Sequence, residues 1–570
     1  MARKITRREF IRSAGLGALG LVTPYVLLGP GGSRFADPPD QAHFAFDPNL
    51  PPEDVFGVSV ASGDPTAAGV ILWTRVNDDQ WQPDTNLAFQ VAADTGFTQI
   101  VAQGLVASAD FDANSDYVVK LDLDGSLGAG SVYYYRFIYA NTSSRIGRCR
   151  TLPASDSSPT NLKFGLLTCQ HYTNGYYPAL HYLAQEDVDF VIHVGDFIYE
   201  SGSTNQAYPN HVLQIPGGSP ATGLEAYRYL YRTYHSDHFL QEVMERHTFI
   251  IIWDDHEFAN DSYWDYELDA PGAPDHPFVA DPNALTQLKL ESQRAWAEYM
   301  PARPQIDPNA THPHDYLTIY RRFQFGDLVD LFMTDERTYR SPHPCGETTI
   351  GGRYVNLGCP MQSDPSQSML GPTQRDWLVD GLLNSPAIWK LWGNEVLQME
   401  LIIPRPNNPN GDIYLNLDAW DGYEYERQSV LTQVRDAGIK NLVTLTGDLH
   451  AYMAGYLKID YANHDNNDPN NVVGVEFMTP AVTSSNVGEV LADLGFPFEI
   501  GEGLVRLLNP HVRFFDGYHW GYAVIEVTPA YCEYRTYSVD KTVDSPDAAR
   551  ALLKRLRVFR DHTRIFDLTP

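Results

Sequence analysis

The chain contains 570 residues, of which 43% are hydrophobic and 12% are aromatic, a composition typical of globular proteins. This length accommodates one large domain and at least one smaller one, which can bury a core without disulfide bonds. Proteins that bind nucleic acids need a basic surface that neutralises the phosphates, and the formal net charge of −31 argues against such a surface. We therefore expect no sequence-specific nucleic-acid binding. The charge says little about a small substrate, because bound metal ions can reverse a local field.

The amino terminus has the features of an export signal. Arg7 and Arg8 come shortly before Phe10, and an apolar, Gly-rich segment follows at about residues 14–28. This segment is short for a membrane span and suits a signal peptide, with a retained membrane anchor as the alternative. The Arg pair in this setting resembles a twin-arginine (Tat) signal. We therefore predict that residues 1–36 are a Tat-type signal peptide recognised by the Tat export machinery, and that the protein is periplasmic or extracellular.

The next segment predicts a domain made of strands. Residues 37–54 are rich in Pro and Asp and indicate a linker. Across residues 55–152, short apolar runs such as 70–76 and 132–137 alternate with turns, without helical periodicity. The size and the spacing predict a β-sandwich of the immunoglobulin or fibronectin type. A second linker, made of Ser, Pro, Ala, Asp and Thr, covers residues 153–160.

Residues 161–540 have a different pattern, which indicates an α/β domain. Continuous apolar runs suit strands that are buried on both faces of a sheet, and a helical stretch lies between them at about residues 284–300. The runs are 164–167, 190–194, 249–253, 328–333 and 442–445. The predicted fold class is therefore α/β, with the β-sandwich domain preceding it.

The last segment, residues 541–570, predicts a helix. Ser545 followed by Pro546 is a typical helix start. An apolar set and a basic set then recur at helical spacing, namely Ala549, Leu552, Leu553 and Leu556, and Arg550, Lys554 and Arg557. Such a helix either covers the core or acts as a lid whose basic face lies over acidic loops.

Four of the five apolar runs end in residue types that bind metal ions. These residues are Cys169, Gln170 and His171; Asp196 and Tyr199; Asp254, Asp255, His256, Glu257, Asn260 and Asp261; and Asp448 and His450. A single Asp in such a position is commonly a turn residue or a helix cap. In open α/β sheets, however, ligands bind outside the carboxyl ends of the strands. We therefore predict that the four loops converge on one metal site.

The predicted ligands also indicate which metals are bound. A thiolate, a phenolate and an imidazole suit a transition metal, and the combination of tyrosine with thiolate favours ferric iron. The carboxylates and Asn260 suit harder ions such as calcium or magnesium. We therefore predict Fe³⁺ together with one or two Ca²⁺ ions, with Mg²⁺, Mn²⁺ or Zn²⁺ as alternatives.

The chain has five cysteines, so at least one sulfur stays unpaired in an oxidising compartment. Cys345 and Cys359 lie in a segment rich in Gly and Pro and are candidates for a disulfide that closes a short loop. Cys169 is expected to stay free, because a metal ligand must be a thiolate. The pairing of Cys149 and Cys532 stays open.

Three motifs resemble those of a known family. Gly-Asp-x-x-Tyr at 195–199, Asp-His-Glu at 255–257 and Gly-Asp-x-His at 447–450 are similar to the motifs of the calcineurin-type metallophosphoesterases, and specifically of the alkaline phosphatase D (PhoD-like) family. Further matching segments are Asp335–Arg340, Met369–Gly371 with Gln374, Trp377–Leu378 and Trp420–Tyr423. The resemblance covers residues 55 to about 527 and implies that an αββα metallophosphoesterase domain follows the sandwich.

The resemblance implies a first set of roles. Cys169 takes the first-metal position, where the wider superfamily has an Asp. Asp196 bridges the metals, and Tyr199 and His450 complete the iron site. Asp255 stands where the superfamily has a metal-binding Asn, which makes it a ligand of a second ion.

A second set of roles also follows from the resemblance. Asp448 stands where the superfamily has a His, which shifts the preference toward calcium, and Asn260 is a further ligand. His256 has the position of the His that protonates the leaving group. Arg337 either orients a phosphate oxygen or forms an ion pair with Asp335.

These observations predict an exported, metal-dependent hydrolase of phosphate mono- and diesters. A metal-activated hydroxide is expected to attack phosphorus directly, and the sequence contains no Gly-x-Ser-x-Gly motif for a serine nucleophile. Small phosphate esters are the expected substrates, and phospholipid or nucleotide diesters are further candidates. The alternatives are a dedicated phosphodiesterase or phospholipase D-type enzyme on the same scaffold, and a non-catalytic surface protein that binds a partner through its sandwich.

Overall fold

A computed structural model describes Val26–Leu27, residues 44–202, 208–405 and 411–493, residue 495, and residues 501–570. The predicted signal peptide at residues 1–36 lies outside the described residues, apart from Val26–Leu27. Within the described ranges, no helix is both long enough and apolar enough to cross a membrane.

The amino-terminal part of the chain is made of strands and short turns. Its strands are β1 (Val26–Leu27), β2 (Val60–Thr66), β3 (Gly69–Arg75), β4 (Leu87–Ala92), β5 (Ile100–Val106), β6 (Val118–Asp122), β7 (Val132–Tyr139), β8 (Thr142–Ser143) and β9 (Gly147–Arg150). Strands β5, β4, β7 and β8 form one sheet in that order, and β9 pairs with β7. Strands β1, β6, β3 and β2 belong to a second, larger sheet.

The rest of the chain alternates strands and helices. The strands are β10 (Leu162–Leu167), β11 (Phe190–Val194), β12 (Thr248–Ile252), β13 (Tyr263–Asp265), β14 (Ala270–Gly272), β15 (Gln305–Ile306), β16 (Leu317–Thr318), β17 (Arg321–Phe325), β18 (Val329–Met333), β19 (Tyr354–Asn356), β20 (Trp389–Gly393), β21 (Ile402–Ile403), β22 (Ile413–Asn416), β23 (Leu442–Thr446), β24 (Tyr452–Lys458), β25 (Val472–Met478), β26 (Val512–Asp516), β27 (Gly521–Val527), β28 (Tyr531–Val539), β29 (Arg550–Phe559) and β30 (Ile565–Asp567). The helices are α1 (Pro178–Gln185), α2 (Leu224–His235), α3 (His238–Arg246), α4 (Pro282–Tyr299), α5 (Pro313–Tyr316), α6 (Gly371–Leu383), α7 (Glu424–Asp436), α8 (Val487–Asp493) and α9 (Glu502–Leu508).

Two large sheets organise these elements. An 11-stranded sheet has the order β1-β6-β3-β2-β12-β11-β10-β27-β28-β29-β30, and a 7-stranded sheet has the order β17-β18-β20-β23-β25-β24-β26. Strands β10, β11 and β12 are adjacent and parallel, as are β18, β20 and β23 in the other sheet. The structure is therefore mixed α/β, as the sequence predicts.

The amino-terminal strands continue directly into the sheet of the α/β part. Strand β2 pairs in parallel with β12, so that Ser62 lies opposite Thr248 and Gly63 lies opposite Phe249. A Cβ atom at position 63 would collide with the backbone of Pro301 and crowd that of Phe249, so glycine is what permits this close approach. Continuity of one sheet across the two predicted domains is not indicated by the sequence pattern.

Alternate residues of the parallel strands face two different cores. Leu331 and Met333 of β18 lie in the same core as Phe164 of the 11-stranded sheet. Phe332, between them, lies in a second core with Trp392 and with apolar side chains of α6 and α7. The strands are thus buried on both faces, which explains their continuous apolar sequences. The two sheets share one core, and two helices cover the outer face of the 7-stranded sheet.

The carboxyl-terminal segment forms strands β29 and β30, so the prediction of a helix at 541–570, whether covering the core or acting as a lid, is wrong. Strand β29 pairs along its length with β28. Its buried residues Leu556 and Val558 alternate with Arg555 and Arg557, which form ion pairs with Glu533 of β28. Tertiary pairing with an available strand outweighs the local helical spacing. Of the predicted basic set, Lys554 and Arg557 pair within the sheet, with Asp567 and Glu533, and Arg550 pairs with Glu186 directly after α1.

Deleting all residues after Thr542 is expected to destabilise the protein strongly. The deletion removes β29 and β30 and takes the buried side chains of Leu556, Val558 and Ile565 out of the core. Each buried aliphatic side chain contributes about 1.5–3 kcal/mol, against a total stability of roughly 5–15 kcal/mol. Thermal denaturation checks this expectation. A truncated protein that keeps its melting temperature and turns over bulky diesters faster would contradict this expectation and support a lid.

Candidate metal centre

The predicted ligand loops meet at the carboxyl ends of β10, β11, β12 and β23. Cys169, Asp196, Asp448 and His450 all have a positive φ, between 54° and 63°. This left-handed conformation is uncommon for residues other than glycine and costs on the order of 1–3 kcal/mol. Four such residues after the ends of three strands indicate that the surrounding structure holds the side chains in fixed directions, as is typical of functional sites.

A first donor group consists of Cys169, Asp196 and His450. One potential ligand atom from each of these side chains lies within 4.8 Å of the others. The Tyr199 hydroxyl joins this group, because it lies 2.7 Å from Asp196 Oδ2 and 3.2 Å from His450 Nε2. The structure thus brings together the four residues that the sequence assigns to one iron site.

The imidazole of His450 is oriented by the backbone. Its Nδ1 lies 2.6 Å from the carbonyl oxygen of Ser485, which fixes the proton on Nδ1 and leaves Nε2 available as a ligand atom. Burial also lowers the pKa of His450 to about 4, so the ring is neutral, as metal binding requires.

A second donor group consists of Asp196, Asp255 and His256, whose potential ligand atoms also lie within 4.8 Å of one another. Asp196 belongs to both groups, which is the arrangement that a bridging ligand needs. The carboxylate of Asp255 is held by the backbone N–H of Asp261, at 2.6 Å. His256 Nδ1 lies 2.6 Å from Glu200 Oε2, so this ring nitrogen is already paired.

Two predicted ligands lie outside these donor groups. Asp448 accepts a hydrogen bond from Arg337 Nη2 at 3.2 Å. The side-chain nitrogen of Asn260 donates to Asp275 Oδ2 at 2.8 Å, and its backbone N–H donates to Glu200 at 3.2 Å. Their assignment as ligands stays a prediction.

Arg337 is fully buried among carboxylates. Its guanidinium group donates to Asp254, to Asp418 at 2.8 Å and to Asp448 at 3.2 Å, and its side chain is 0% exposed. Asp335 instead accepts the backbone N–H of Arg337, at 3.1 Å. The alternative of an ion pair between Arg337 and Asp335 is therefore wrong, because the guanidinium group pairs with Asp254, Asp418 and Asp448.

The site has an excess of buried negative charge, which bound cations would neutralise. Buried carboxylates in and beside the ligand loops include Asp196, Glu200, Asp254, Asp255, Glu257, Asp261 and Asp418, and the buried guanidinium groups that pair with members of this set include those of Arg337, Arg340 and Arg353. Burial raises the pKa of the Cys169, Asp196 and Tyr199 side chains well above their ordinary values. A metal ion among these donors would reverse the effect, because it favours their anionic forms. The donor set therefore fits a metal cluster.

Several supporting residues carry little or no sequence signal. The carboxylate of Glu257 accepts hydrogen bonds from the backbone of Asp196, Phe197 and Asp254, at 2.6–3.1 Å, and so ties two ligand loops together. Glu257 is part of the Asp-His-Glu motif, but the motif does not indicate these backbone contacts. Glu200 directly follows Tyr199 but stands in no motif, so its contact with His256 becomes visible only in three dimensions.

Two of the five cysteines are paired and three are free. Cys345 and Cys359 form a disulfide, whereas Cys149, Cys169 and Cys532 are free and buried. The free state of Cys169 leaves its sulfur available within the first donor group.

Comparisons with known proteins agree over nearly the whole chain. Alkaline phosphatase D of Bacillus subtilis (strain 168) is 30% identical over 558 residues, which cover 95% of this chain and 86% of the relative. A solved structure described as "Structure of PhoD" has a TM-score of 0.76 at 27% identity and covers 92% of this chain and 94% of its own.

Family models match both parts of the chain. The model of the PhoD-like phosphatase matches residues 164–536, and that of the PhoD-like phosphatase N-terminal domain matches residues 44–153. The fold, the site and these similarities define a phosphoric ester hydrolase. The chain belongs to the PhoD-like phosphatase family.

Proposed function

We propose that the protein is an exported, metal-dependent hydrolase of phosphate mono- and diesters of the alkaline phosphatase D type. The observation that carries the proposal is the pair of donor groups that share Asp196. Two ions held by one bridging carboxylate would lie close enough to act on the same phosphoryl group.

The residues present divide between a transition-metal ion and a second ion that prefers oxygen ligands. Cys169, Tyr199 and His450, with Asp196, would hold Fe³⁺, because thiolate, phenolate and imidazole suit a transition metal. Asp196 and Asp255, with the predicted ligands Asp448 and Asn260, would hold one or two Ca²⁺ ions, with Mg²⁺, Mn²⁺ or Zn²⁺ as alternatives. When bound, such ions polarise the phosphoryl oxygens and acidify a water molecule that serves as the nucleophile.

His256 is proposed to donate the proton that the leaving group needs. Burial alone would lower its pKa, but the carboxylates of Glu200, Asp255 and Asp196 outweigh this and hold it well above the ordinary value. The contact with Glu200, which is not one of the proposed metal ligands, favours the protonated ring. Its side chain is 17% exposed, which leaves it accessible to a substrate.

Arg337 is proposed as a positioning residue that does not contact the substrate. Its guanidinium group links Asp254, Asp448 and Asp418, and lies 3.7 Å from Asp255 Oδ2. It therefore fixes the carboxylates of two ligand loops relative to each other. Its complete burial supports this role over direct contact with a phosphate oxygen.

Export through the Tat machinery to the periplasm or the exterior is part of the proposal. The disulfide between Cys345 and Cys359 supports it, because structural disulfides persist mainly in oxidising compartments. Replacing Arg7 and Arg8 by Lys should retain the protein in the cytoplasm, and cell fractionation measures this. Unchanged export of that variant would contradict a Tat route.

We also propose the finer domain division: a linker at 37–54, a β-sandwich at 55–152 and an αββα domain at 161–540. The separate family-model matches to the two parts support this division. The helices packed outside the 7-stranded sheet and the core shared by the two sheets support the layered arrangement.

Removal of the metals is expected to abolish hydrolysis of phosphate esters. The purified protein should be assayed with Fe and Ca, on p-nitrophenyl phosphate and bis(p-nitrophenyl) phosphate side by side, before and after treatment with a chelator. Recovery upon addition of iron and calcium, but of neither alone, is the expected pattern. Full activity in protein shown by elemental analysis to be free of metal would sink the proposal. Activity on the diester alone would favour a dedicated phosphodiesterase.

A further inference from the structure

A segment far along the chain packs against the first ligand loop. Between β25 and α8, the backbone N–H of Val482 donates to Thr168, at 3.1 Å, and those of Thr483 and Ser484 donate to the carbonyl oxygen of Cys169, at 3.3 Å. The segment therefore runs along the residues that present the Cys169 thiol.

The hydroxyl of Ser484 lies between two ligand residues. Its Oγ is 2.7 Å from the Tyr199 hydroxyl oxygen and 2.9 Å from the carbonyl oxygen of Cys169. It also accepts the backbone N–H of His171, at 3.2 Å. Ser484 is 1% exposed, so water does not compete for these contacts. A hydroxyl has one proton, so it can donate to only one of its two acceptors at a time.

The choice of acceptor depends on the state of Tyr199. The Tyr199 hydroxyl donates its own proton to Asp196 Oδ2, at 2.7 Å. When the Tyr199 oxygen binds a metal it has no proton, and a negatively charged oxygen is a stronger acceptor than a backbone carbonyl. The Ser484 proton should then point to Tyr199 and not to Cys169.

The segment is anchored so that Ser484 cannot move away. Trp520 Nε1 donates to the carbonyl oxygen of Ser484, at 2.9 Å. The buried ammonium group of Lys541 donates to the carbonyl oxygen of Thr483, at 2.8 Å, and lies 3.9 Å from the centre of the Trp520 ring. The neighbouring Ser485 carbonyl orients His450, so one segment supports two ligands of the same site.

We propose that Ser484 is a positioning residue of the iron site, which donates a hydrogen bond to the Tyr199 oxygen when that oxygen binds the metal. The proposal rests on the iron site put forward under the proposed function. A hydrogen bond to the phenolate lowers the energy of its donor electrons. It therefore moves the phenolate-to-iron absorption band to shorter wavelength and helps to retain the metal.

The test compares Ser484→Ala with the wild type and with Thr479→Val, all loaded with iron. Thr479 is a matched control, because its buried hydroxyl donates to the backbone of Leu166, at 3.0 Å, and does not touch Tyr199. Ser484→Ala should move the visible band to longer wavelength and lose iron to a chelator about 10–100-fold more readily, as is usual when a ligand's supporting hydrogen bond is removed. Ser484→Thr, which keeps a hydroxyl, should restore the band.

Each outcome decides the matter. A folded, iron-loaded Ser484→Ala whose band is unmoved, or moves no more than that of Thr479→Val, overturns the role of Ser484 and leaves the iron site intact. A colourless wild type overturns the iron site and the Ser484 role together. If Ser484→Ala does not fold, Ser484→Cys replaces it. A thiol is a weak donor of similar size, so its band should still shift to longer wavelength, and an unshifted band counts against the role.

Discussion

Asp196→Asn should reduce kcat/KM on phosphate esters by roughly 10³-fold or more and remove both kinds of metal. The reason is that Asp196 belongs to both donor groups, so one substitution weakens two sites. Metal ions supply several kcal/mol of charge stabilisation, and each 1.4 kcal/mol corresponds to about tenfold in rate. Steady-state kinetics together with elemental analysis measure the effect.

Loss of the site must be separated from loss of the fold. The metal-free Asp196→Asn protein should unfold at no lower temperature than metal-free wild type, because the buried carboxylate is crowded by Asp254, Asp255 and Glu257. Asp187→Asn is the matched control, since Asp187 precedes the same strand β11 at its other end and its side chain is 100% exposed. Full metal content and full activity in Asp196→Asn would rule out the bridging role.

His256→Ala should lower kcat by about 10²–10⁴-fold on an alkyl phosphate but far less on a nitrophenyl phosphate. A proton donor matters most when the departing oxygen is a strong base, which is the case for an alkoxide and not for nitrophenolate. His181→Ala is the matched control, because His181 forms the same kind of pair, with Glu242 at 2.6 Å, away from the metal centre. Equal losses on both substrates would leave His256 as a ligand or a positioning group.

Glu200→Gln tests the role of the His256 proton in a second way, through the pH dependence of the rate. The His256 proton is present below its raised pKa and is lost as the pH rises through that value. The carboxylate of Glu200 is the foremost group that raises this pKa, against the effect of burial. Its neutralisation should therefore move the alkaline limb of the rate on alkyl phosphates to lower pH. An unmoved limb would show that another group sets it.

The positions of the ligand loops followed from the sequence because two simple patterns coincide there. Buried parallel strands such as β11 and β12 are continuous apolar runs, and the polar residues just beyond them fall at one edge of the sheet. Helix α4 likewise covers the helical stretch expected near residues 284–300. These features depend on local sequence and can therefore be predicted without knowledge of tertiary contacts.

Features that depend on distant partners were not predictable in the same way. The spacing of Leu552, Leu553 and Leu556 suits a helix, and only the presence of β28 beside it makes the segment a strand. Arg337 stands close to Asp335 in the sequence, yet its guanidinium group reaches carboxylates 81–111 residues away, on Asp254, Asp418 and Asp448. Whether a charged group is buried depends on the residues that surround it in the folded protein. The periodicity of the sequence does not indicate these residues.

The direct pairing of β2 with β12 means that the α/β part and the amino-terminal strands cannot separate without exposing a strand edge. Strand β12 ends at the loop that carries Asp255 and His256, and β2 pairs with its first two residues on the side away from β11. An α/β part separated from the amino-terminal strands would present β12 as an unprotected edge, with unpaired N–H and C=O groups open to pairing with another chain. The amino-terminal strands therefore protect β12 from aggregation, and β12 leads into the loop that carries Asp255 and His256.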